Sequence, residues 1–384
     1  MTQRTDKKTI CLNMIVKNES AIIRDTLENI ISHVPLDYYV ISDTGSNDNT
    51  ADIIKQFFDE KGIQGEIHHD EWVNFAHNRN CALQHAQGKT DYVLIFDADD
   101  RFEGEFVLPE ELTCDRYYLR MANSITGSNV YFRVLMFRND GSFYWRGVLH
   151  EFIEQRKTTI TEQKIFGDYY VISGRFGARS NNPQKYFQDA QVLEKAFNSP
   201  EDEDLKDRYA FYTAQSYRDA DMYEKAIEWY AIRANLGGWS EEVYYSFLQI
   251  ALLKIELNAS LNEIQNLLLS TYEYRPQRAE SLYHLARLLR HNNKARLAYI
   301  YANVAANIPL SKDILFVDHS VYEWKAKEEL AMSANSVGNY QLCHDLWRSD
   351  VPGLQLGRAD KQLLQREKLS GDSGLWTADG FTGK

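Results

Sequence analysis

Val93-Leu-Ile-Phe-Asp97-Ala98-Asp99-Asp100 is an apolar run that stops abruptly in three carboxylates within four positions. Its apolar half reads as a β-strand. Like charges this close repel and raise one another's pKa unless a cation or a basic group offsets them. A divalent ion is the simplest counter-charge. Oxygen-only ligands favour Mg2+ or Mn2+, which typically bridge protein carboxylates to substrate phosphates. Taken alone, the same pattern also describes a solvated acidic turn, so its surroundings decide.

Upstream of it, short β-type runs alternate with helical stretches. Strands are expected at Ile10–Val16, Tyr38–Ser42, Gly65–His69 and Tyr92–Phe96, and helices at Glu19–Ser32, Thr50–Lys61 and Asn74–Gln87. This alternation predicts a mostly parallel sheet with helices on both faces, in which ligands sit at the carboxyl ends of the strands. Downstream, Val130–Arg138 and Ser142–Ile153 flank Asn139-Asp140-Gly141, a turn signal that predicts a hairpin added antiparallel to the sheet. Lys164–Pro183 is rich in Gly, Ser, Asn and Arg and reads as an irregular connection.

From Lys185 onward strand signals vanish. Small residues at Ala214, Ala251 and Ala286 recur at separations of 37 and 35 residues, close to the period of about 34 of two-helix tetratricopeptide repeats. Such repeats stack on their neighbours and leave a concave face for a partner or acceptor, or else brace the other half or dimerise. A chain of 384 residues exceeds what one core usually serves. The expected organisation is an α/β, Rossmann-like domain over 1–185, an all-α tetratricopeptide-like domain over 186–350 and a glycine-containing tail over 351–384.

Composition narrows the function classes. Hydrophobic residues at 44% and charged residues at 26% are ordinary for a soluble globular protein. A net charge of −12 argues against a surface that grips nucleic acid as a whole. Cys11, Cys81, Cys114 and Cys343 have neither zinc-ligand nor disulfide-framework spacing, which fits a reducing compartment. The apolar run Ile10–Val16 is too short for a signal-peptide core or a membrane span, so a cytoplasmic protein is expected.

The polar residues after each strand supply the candidate site. Met14-Ile-Val-Lys-Asn-Glu19 brings Lys17, Asn18 and Glu19 to the sheet edge after the first strand. Ile41-Ser-Asp-Thr-Gly-Ser-Asn-Asp-Asn-Thr50 places Asp43 at the end of the second, where it can accept hydrogen bonds from a base N–H or a ribose hydroxyl. Asn74-Phe-Ala-His-Asn-Arg79-Asn80 opens the helix before the carboxylate strand, and a helix N-terminus with Arg79 suits a diphosphate. Trp145-Arg-Gly-Val-Leu-His150-Glu151, read as part of the second hairpin strand, offers a further metal ligand and a general base. Each of these alone is commonplace as capping or structure.

Together they resemble family 2 glycosyltransferases of the GT-A fold. Leu12-Asn-Met-Ile-Val-Lys-Asn-Glu19, Asp43-Thr-Gly-Ser-Asn-Asp48, Phe75-Ala-His-Asn-Arg-Asn80, Phe96-Asp-Ala-Asp-Asp100 and Gly147-Val-Leu-His-Glu151 occur in that family's order. With a repeat half behind it, the chain is similar to the tetratricopeptide-bearing subgroup that includes peptide S-glycosyltransferases. The resemblance implies a nucleoside diphosphate sugar as donor, usually a UDP-sugar, held beside Asn18 and Glu19. It implies Asp43 on the base or ribose, Asp97 on the ribose or sugar, Asp99 on the metal and His150 as a second protein ligand. The family's x-Glu-Asp base motif is absent in literal form. Leu149-His-Glu151 stands in its place, which leaves the base open between Glu151, Asp100 and His150.

The expected reaction is metal-assisted transfer of the sugar with inversion, Arg79 helping the departing diphosphate. The segment with Gly167, Gly174, Gly177, Arg175, Arg179 and Lys185 is either a lid over the diphosphate or a linker between halves. The acceptor is open between a glycan, a peptide, a small molecule and a modified nucleobase. The rivals are a nucleotidyltransferase, for which Lys17-Asn-Glu19 lacks the glycines of a phosphate-binding turn, and a repeat scaffold with a degenerate transferase domain.

Overall fold

The computed structural model describes residues 7–122, 130–174, 179 and 182–348. The N-terminal strands and helices fall where the β-α alternation places them: β1 (Ile10–Val16), α1 (Ile23–His33), β2 (Tyr38–Asp43), α2 (Thr50–Lys61), β3 (Gln64–His69), α3 (Phe75–Ala86) and β4 (Tyr92–Ile95). Alternate residues of the central strands serve two different cores, which is why these strands read as nearly continuous apolar runs. Leu12, Met14 and Leu94 face Ile23, Leu27, Ile54 and Phe58 of α1 and α2. Cys11, Val40, Val93 and Ile95 face Ala76 and Ala86 of α3. The polar interruption of β1, Asn13, is buried and donates its amide to the Ala82 carbonyl at 2.8 Å, tying β1 to α3.

Seven further strands follow: β5 (Arg101–Gly104), β6 (Arg116–Ala122), β7 (Tyr131–Arg138), β8 (Phe143–Arg146), β9 (Phe152–Gln155), β10 (Glu162–Lys164) and β11 (Tyr169–Ile172). Among the described residues the main sheet runs β3-β2-β1-β4-β7-β6-β11-β5, with β10 also on β6. It is parallel from β3 to β4 and antiparallel where β7 meets β4 and β6. The chain winds outward from β1 to β3, then crosses back to lay β4 on the other side of β1. Strand order reverses between β1 and β4, and in open α/β sheets the ligand crevice lies outside the carboxyl ends of the strands at such a point.

Two expectations fail, for topological reasons. Asn139-Asp140-Gly141 does turn the chain, with Gly141 at φ 75°. The strand after it does not pair back, because both edges of β7 are already taken by β4 and β6. Instead β8 pairs with β9 as a separate two-stranded sheet, burying Phe143 and Trp145 against the α3 side. His150 and Glu151 therefore lie in the connection between β8 and β9 rather than in a hairpin strand. The second failure is Lys164–Pro183, which is not irregular throughout: Tyr169 and Val171 of β11 are fully buried beside β6 and β5.

Strands give way to helices at α4 (Lys185–Phe197), followed by α5 (Lys206–Asp219), α6 (Tyr223–Leu236), α7 (Ser240–Glu256), α8 (Leu261–Tyr274), α9 (Glu280–His291), α10 (Ala295–Asn307), α11 (Ala326–Ser336) and α12 (Tyr340–Arg348). The recurring Ala214, Ala251 and Ala286 are fully buried in α5, α7 and α9, the first helix of successive pairs. Compactness divides the chain at a different place, between Arg233 and Ala234. In the first unit, Leu193 and Ala196 of α4 and Tyr209 of α5 share a core with Leu149 of the β8–β9 connection. In the second, Tyr244, Leu248, Leu268, Leu282 and Leu285 form the core. There the fully buried Arg278 pairs with Glu280 and Asp313, holding the long connection before α11. No helix among the described residues is long and apolar enough to cross a membrane. The tail 351–384, with Arg175 and Gly177, lies outside the described residues.

Candidate active site

The ends of β1 and β2 are stitched into one loop pair. The Thr44 amide donates to the Val16 carbonyl at 2.9 Å, and the Asn18 amide to Ser46 Oγ at 2.9 Å. Asn18 Oδ1 accepts from the Asn47 amide at 2.8 Å, and the Glu19 amide donates to Thr50 Oγ1 at 2.8 Å. Asn18 sits at φ 57°, a left-handed turn that asparagine tolerates better than most residues. Asp43 is buried, and its Oδ1 accepts from the amides of Gly45 at 3.0 Å and Ser46 at 2.7 Å. One carboxylate oxygen thus shapes the loop. The other lies 4.0 Å from His69 Nδ1.

At the end of β4 the organising residue is Arg79. It is 5% exposed, rises from α3 and stacks over the Trp145 ring, with Cζ 4.8 Å from the ring centre. Its Nε donates to Glu151 Oε1 at 2.7 Å and its Nη2 to Asp97 Oδ1 at 2.6 Å. Burial works against the guanidinium charge, but the two carboxylates outweigh it and hold the pKa above its ordinary value. Burial likewise opposes the Asp97 charge, yet Arg79 and Arg133 keep that carboxyl below the usual range. The α3 N-terminus is not left open for a diphosphate. Asn74 Oδ1 accepts the His77 amide at 2.8 Å, and the Phe75 amide goes to the Val148 carbonyl at 3.3 Å. Arg79 binds two carboxylates one turn further in.

Asp100 lies in the tight turn after β4, its amide bonded to the Asp97 carbonyl at 3.1 Å. It is 1% exposed, and among the described residues neither carboxyl oxygen has a hydrogen-bond partner; Ser173 stands beside it without completing one. Burial, then the charges of Asp97 and Asp99, push this carboxyl well above its usual range. The chain after β11 backs the same turn so closely that a Cβ at Gly174 would stand 1.8 Å from the Asp99 carbonyl oxygen. Gly174 is there because nothing larger fits.

His150 and Arg179 lie away from these carboxylates' contacts. His150 adopts φ 53°, and its ring stacks on Tyr212 of α5 at 4.0 Å. Burial of the ring lowers its pKa to about 4; the neighbouring Glu151 carboxylate works against this, and Arg208, Arg179 and Lys185 add to it. Arg179 is ion-paired with Asp189 of α4 and lies over the Phe75 ring. Among the described residues no group of three or more His, Cys, Asp or Glu side chains converges to hold a metal ion.

The structure therefore joins Arg79, Asp97 and Glu151 in one network, with Asp100 in its field, and places Asn18, Glu19 and Asp43 in the adjoining strand-end loops. Sequence reasoning missed Arg133, Trp145 and the Asn80 amide that clasps Trp145 through both its backbone groups, at 2.8 and 2.9 Å. Asn80 and Trp145 stand within the Asn74–Asn80 and Trp145–Glu151 segments, but only the docking of β8 on α3 brings them together.

Residues 11–112 match the family model of Glycosyl transferase family 2. The match supports a glycosyltransferase domain in the N-terminal unit, acting on a nucleotide-sugar donor and an acceptor. Among curated proteins there is no match. Among solved structures, the chain is similar to a tetratricopeptide repeat protein from Parabacteroides merdae, at 16% identity over 48% of this chain and 69% of that one, TM-score 0.36. It is similar to BtubC (BKLC) from P. vanneervenii at 16% identity, covering 52% and 80%, TM-score 0.35. A putative kinesin light chain with nearly identical TPR-like repeats, from Podosopora anserina, is 16% identical, covering 49% and 90%, TM-score 0.32.

Proposed function

We propose that this protein transfers a sugar from a UDP-sugar to an acceptor nucleophile, with inversion, using the crevice between the carboxyl ends of β1 and β4. The observation that carries the reading is the Arg79 network, which sets two carboxylates, Asp97 and Glu151, in fixed places within a domain of the matched family. Asp43, at the end of β2, has one oxygen turned into its own loop and offers the other to the base or ribose. Asp97 would take a ribose or sugar hydroxyl. Glu151, oriented by Arg79, would remove the acceptor's proton as the new bond forms at the anomeric carbon and the bond to the diphosphate oxygen breaks. Asp100 is the weaker choice of base, since a carboxyl that keeps its proton accepts none.

The carboxylates fit a hard divalent ion. A buried Asp100 with both oxygens unpartnered is what a cation beside Asp99 would complete. Asp99 and Asp100 would hold Mn2+ or Mg2+, with donor oxygens and water completing the shell. The ion would supply positive charge against the charge growing on the departing diphosphate. His150, stacked on Tyr212 of α5, is left out of this set.

Incubation with a panel of UDP-sugars and Mn2+ tests the proposal. UDP release that is lost in Asp99→Asn and kept in a variant remote from the crevice, such as Lys55→Ala, supports it. Absence of turnover together with absence of any thermal shift by UDP or UDP-sugars would leave a binding scaffold instead.

A further inference from the structure

Glu151 is not placed by its own strand. It ends the connection Gly147–Glu151, in which Gly147 and His150 both have positive φ, 93° and 53°. A non-glycine residue in that conformation is held by its surroundings rather than by preference. On one side the holding groups belong to α3: the Phe75 amide on the Val148 carbonyl, and Arg79 on the Glu151 carboxylate.

On the other side they come from α5, the first helix of the first repeat-like pair. Arg208 Nη2 donates to the His150 carbonyl at 2.6 Å. Its guanidinium is wedged between the rings of Phe152, at 4.8 Å, and Tyr212, at 4.9 Å. Among the described residues the buried Nε has no partner, so the hydrogen bond to His150 and the stacking define where this side chain sits. One residue along, Tyr209 Oη accepts the Val148 amide at 3.3 Å and donates to Asp202 at 2.7 Å. Arg208 and Tyr209 thus grip two peptide groups of the connection within three residues of Glu151.

We infer that Arg208 is a positioning residue for Glu151: by holding the His150 peptide in its left-handed conformation, it sets the carboxylate against Arg79 and toward the crevice. A planar guanidinium suits this, because it stacks between two rings while donating in its own plane. Helix α5 is then part of the catalytic apparatus, although the sequence assigns it to the repeats. The inference rests on Glu151 being the base.

The test is a double-mutant cycle in the full chain, measuring Mn2+-dependent hydrolysis of UDP-glucose and UDP-N-acetylglucosamine. Arg208→Met is expected to lower kcat by about tenfold to hundredfold, the scale of a small misplacement of a catalytic group, with donor KM within about twofold. Arg208→Lys restores part of the loss. Arg208→Met in the Glu151→Gln background removes little more, because Arg208 acts only through that carboxylate. Tyr209→Phe, which removes only a hydroxyl, shows a smaller loss of the same kind and guards against misfolding of the arginine variants. Losses that multiply, or a loss that appears only in KM, overturn the inference. Loss of kcat in Glu151→Gln with full kcat in Arg208→Met sinks the inference alone. Unchanged kcat in Glu151→Gln sinks the base assignment and the inference with it.

Discussion

Arg79 Nε lies 2.7 Å from Glu151 Oε1, a contact between the helix before β4 and the connection after β8, 72 positions apart in the chain. The guanidinium is 6% exposed and the carboxylate 8%. A pair removed from water to this degree contributes little net stability when intact, but its loss leaves an uncompensated charge.

Replacing Arg79 by Met strands both Glu151 and Asp97. The expected loss is about 3–5 kcal/mol of stability, measured by urea denaturation, together with loss of donor turnover. Arg79→Lys recovers only part of either, since one ammonium cannot reproduce two directed donors and the stacking on Trp145. Wild-type stability in Arg79→Met would contradict the network.

Asp100→Asn tests the buried carboxyl. Its pKa is raised in the fold, so the folded state binds the proton more tightly than the unfolded chain. The associated stability is full below the ordinary carboxyl pKa of 3.8 and declines as pH rises toward the elevated folded value. Without divalent ions, Asp100→Asn is expected to melt higher than the wild type at pH 8. Mn2+ should raise the wild-type melting temperature and leave the variant's unchanged. A variant that melts lower and still responds to Mn2+ would refute both the neutral acid and the metal assignment.

Gly174→Ala drives a methyl group into the Asp99 carbonyl. The turn carrying Asp99 and Asp100 must shift, so half-maximal activation by Mn2+ should move to higher concentration. Gly167→Ala, whose Cβ meets the Tyr169 ring at 3.1 Å and the Glu105 carbonyl oxygen at an ordinary 3.7 Å, serves as the mild comparison. Identical Mn2+ titrations for the two variants would show that the close approach has no bearing on the site.

His284 in α9 gives the helical unit an acid sensitivity. Burial, then the charges of Arg287 and Lys325, lowers its pKa from 6.5 to about 4. The unfolded chain therefore binds its proton first as pH falls. This contribution is complete above about pH 6.5 and is lost progressively down to about pH 4. Thermal melts across that window should show His284→Asn losing less stability than the wild type. Parallel curves would place the acid sensitivity elsewhere.

Much of the fold was legible because its signals are local. Two-sided burial makes β1 and β4 continuous apolar runs, and amphipathic spacing marks α2, which spans Thr50–Lys61 as read from the sequence. Strand pairing is another matter. A turn at Asn139-Asp140-Gly141 can be read from three residues, but whether β8 pairs with β7 depends on β4 and β6 already occupying its edges. Short β11 was hidden in a segment whose composition reads as loop, and its burial comes from β5 and β6.

What the sequence by itself determined is which strands end in carboxylates, since a parallel βα unit turns the residues after each apolar run toward one edge. What only the tertiary structure decided is how those carboxylates are used. Arg79, read as a diphosphate ligand, meets Asp97 and Glu151 instead, and α5, counted with the repeats, reaches the connection that bears Glu151. Such contacts join residues far apart along the chain, and local preference carries no record of which distant side chain will fill a given gap.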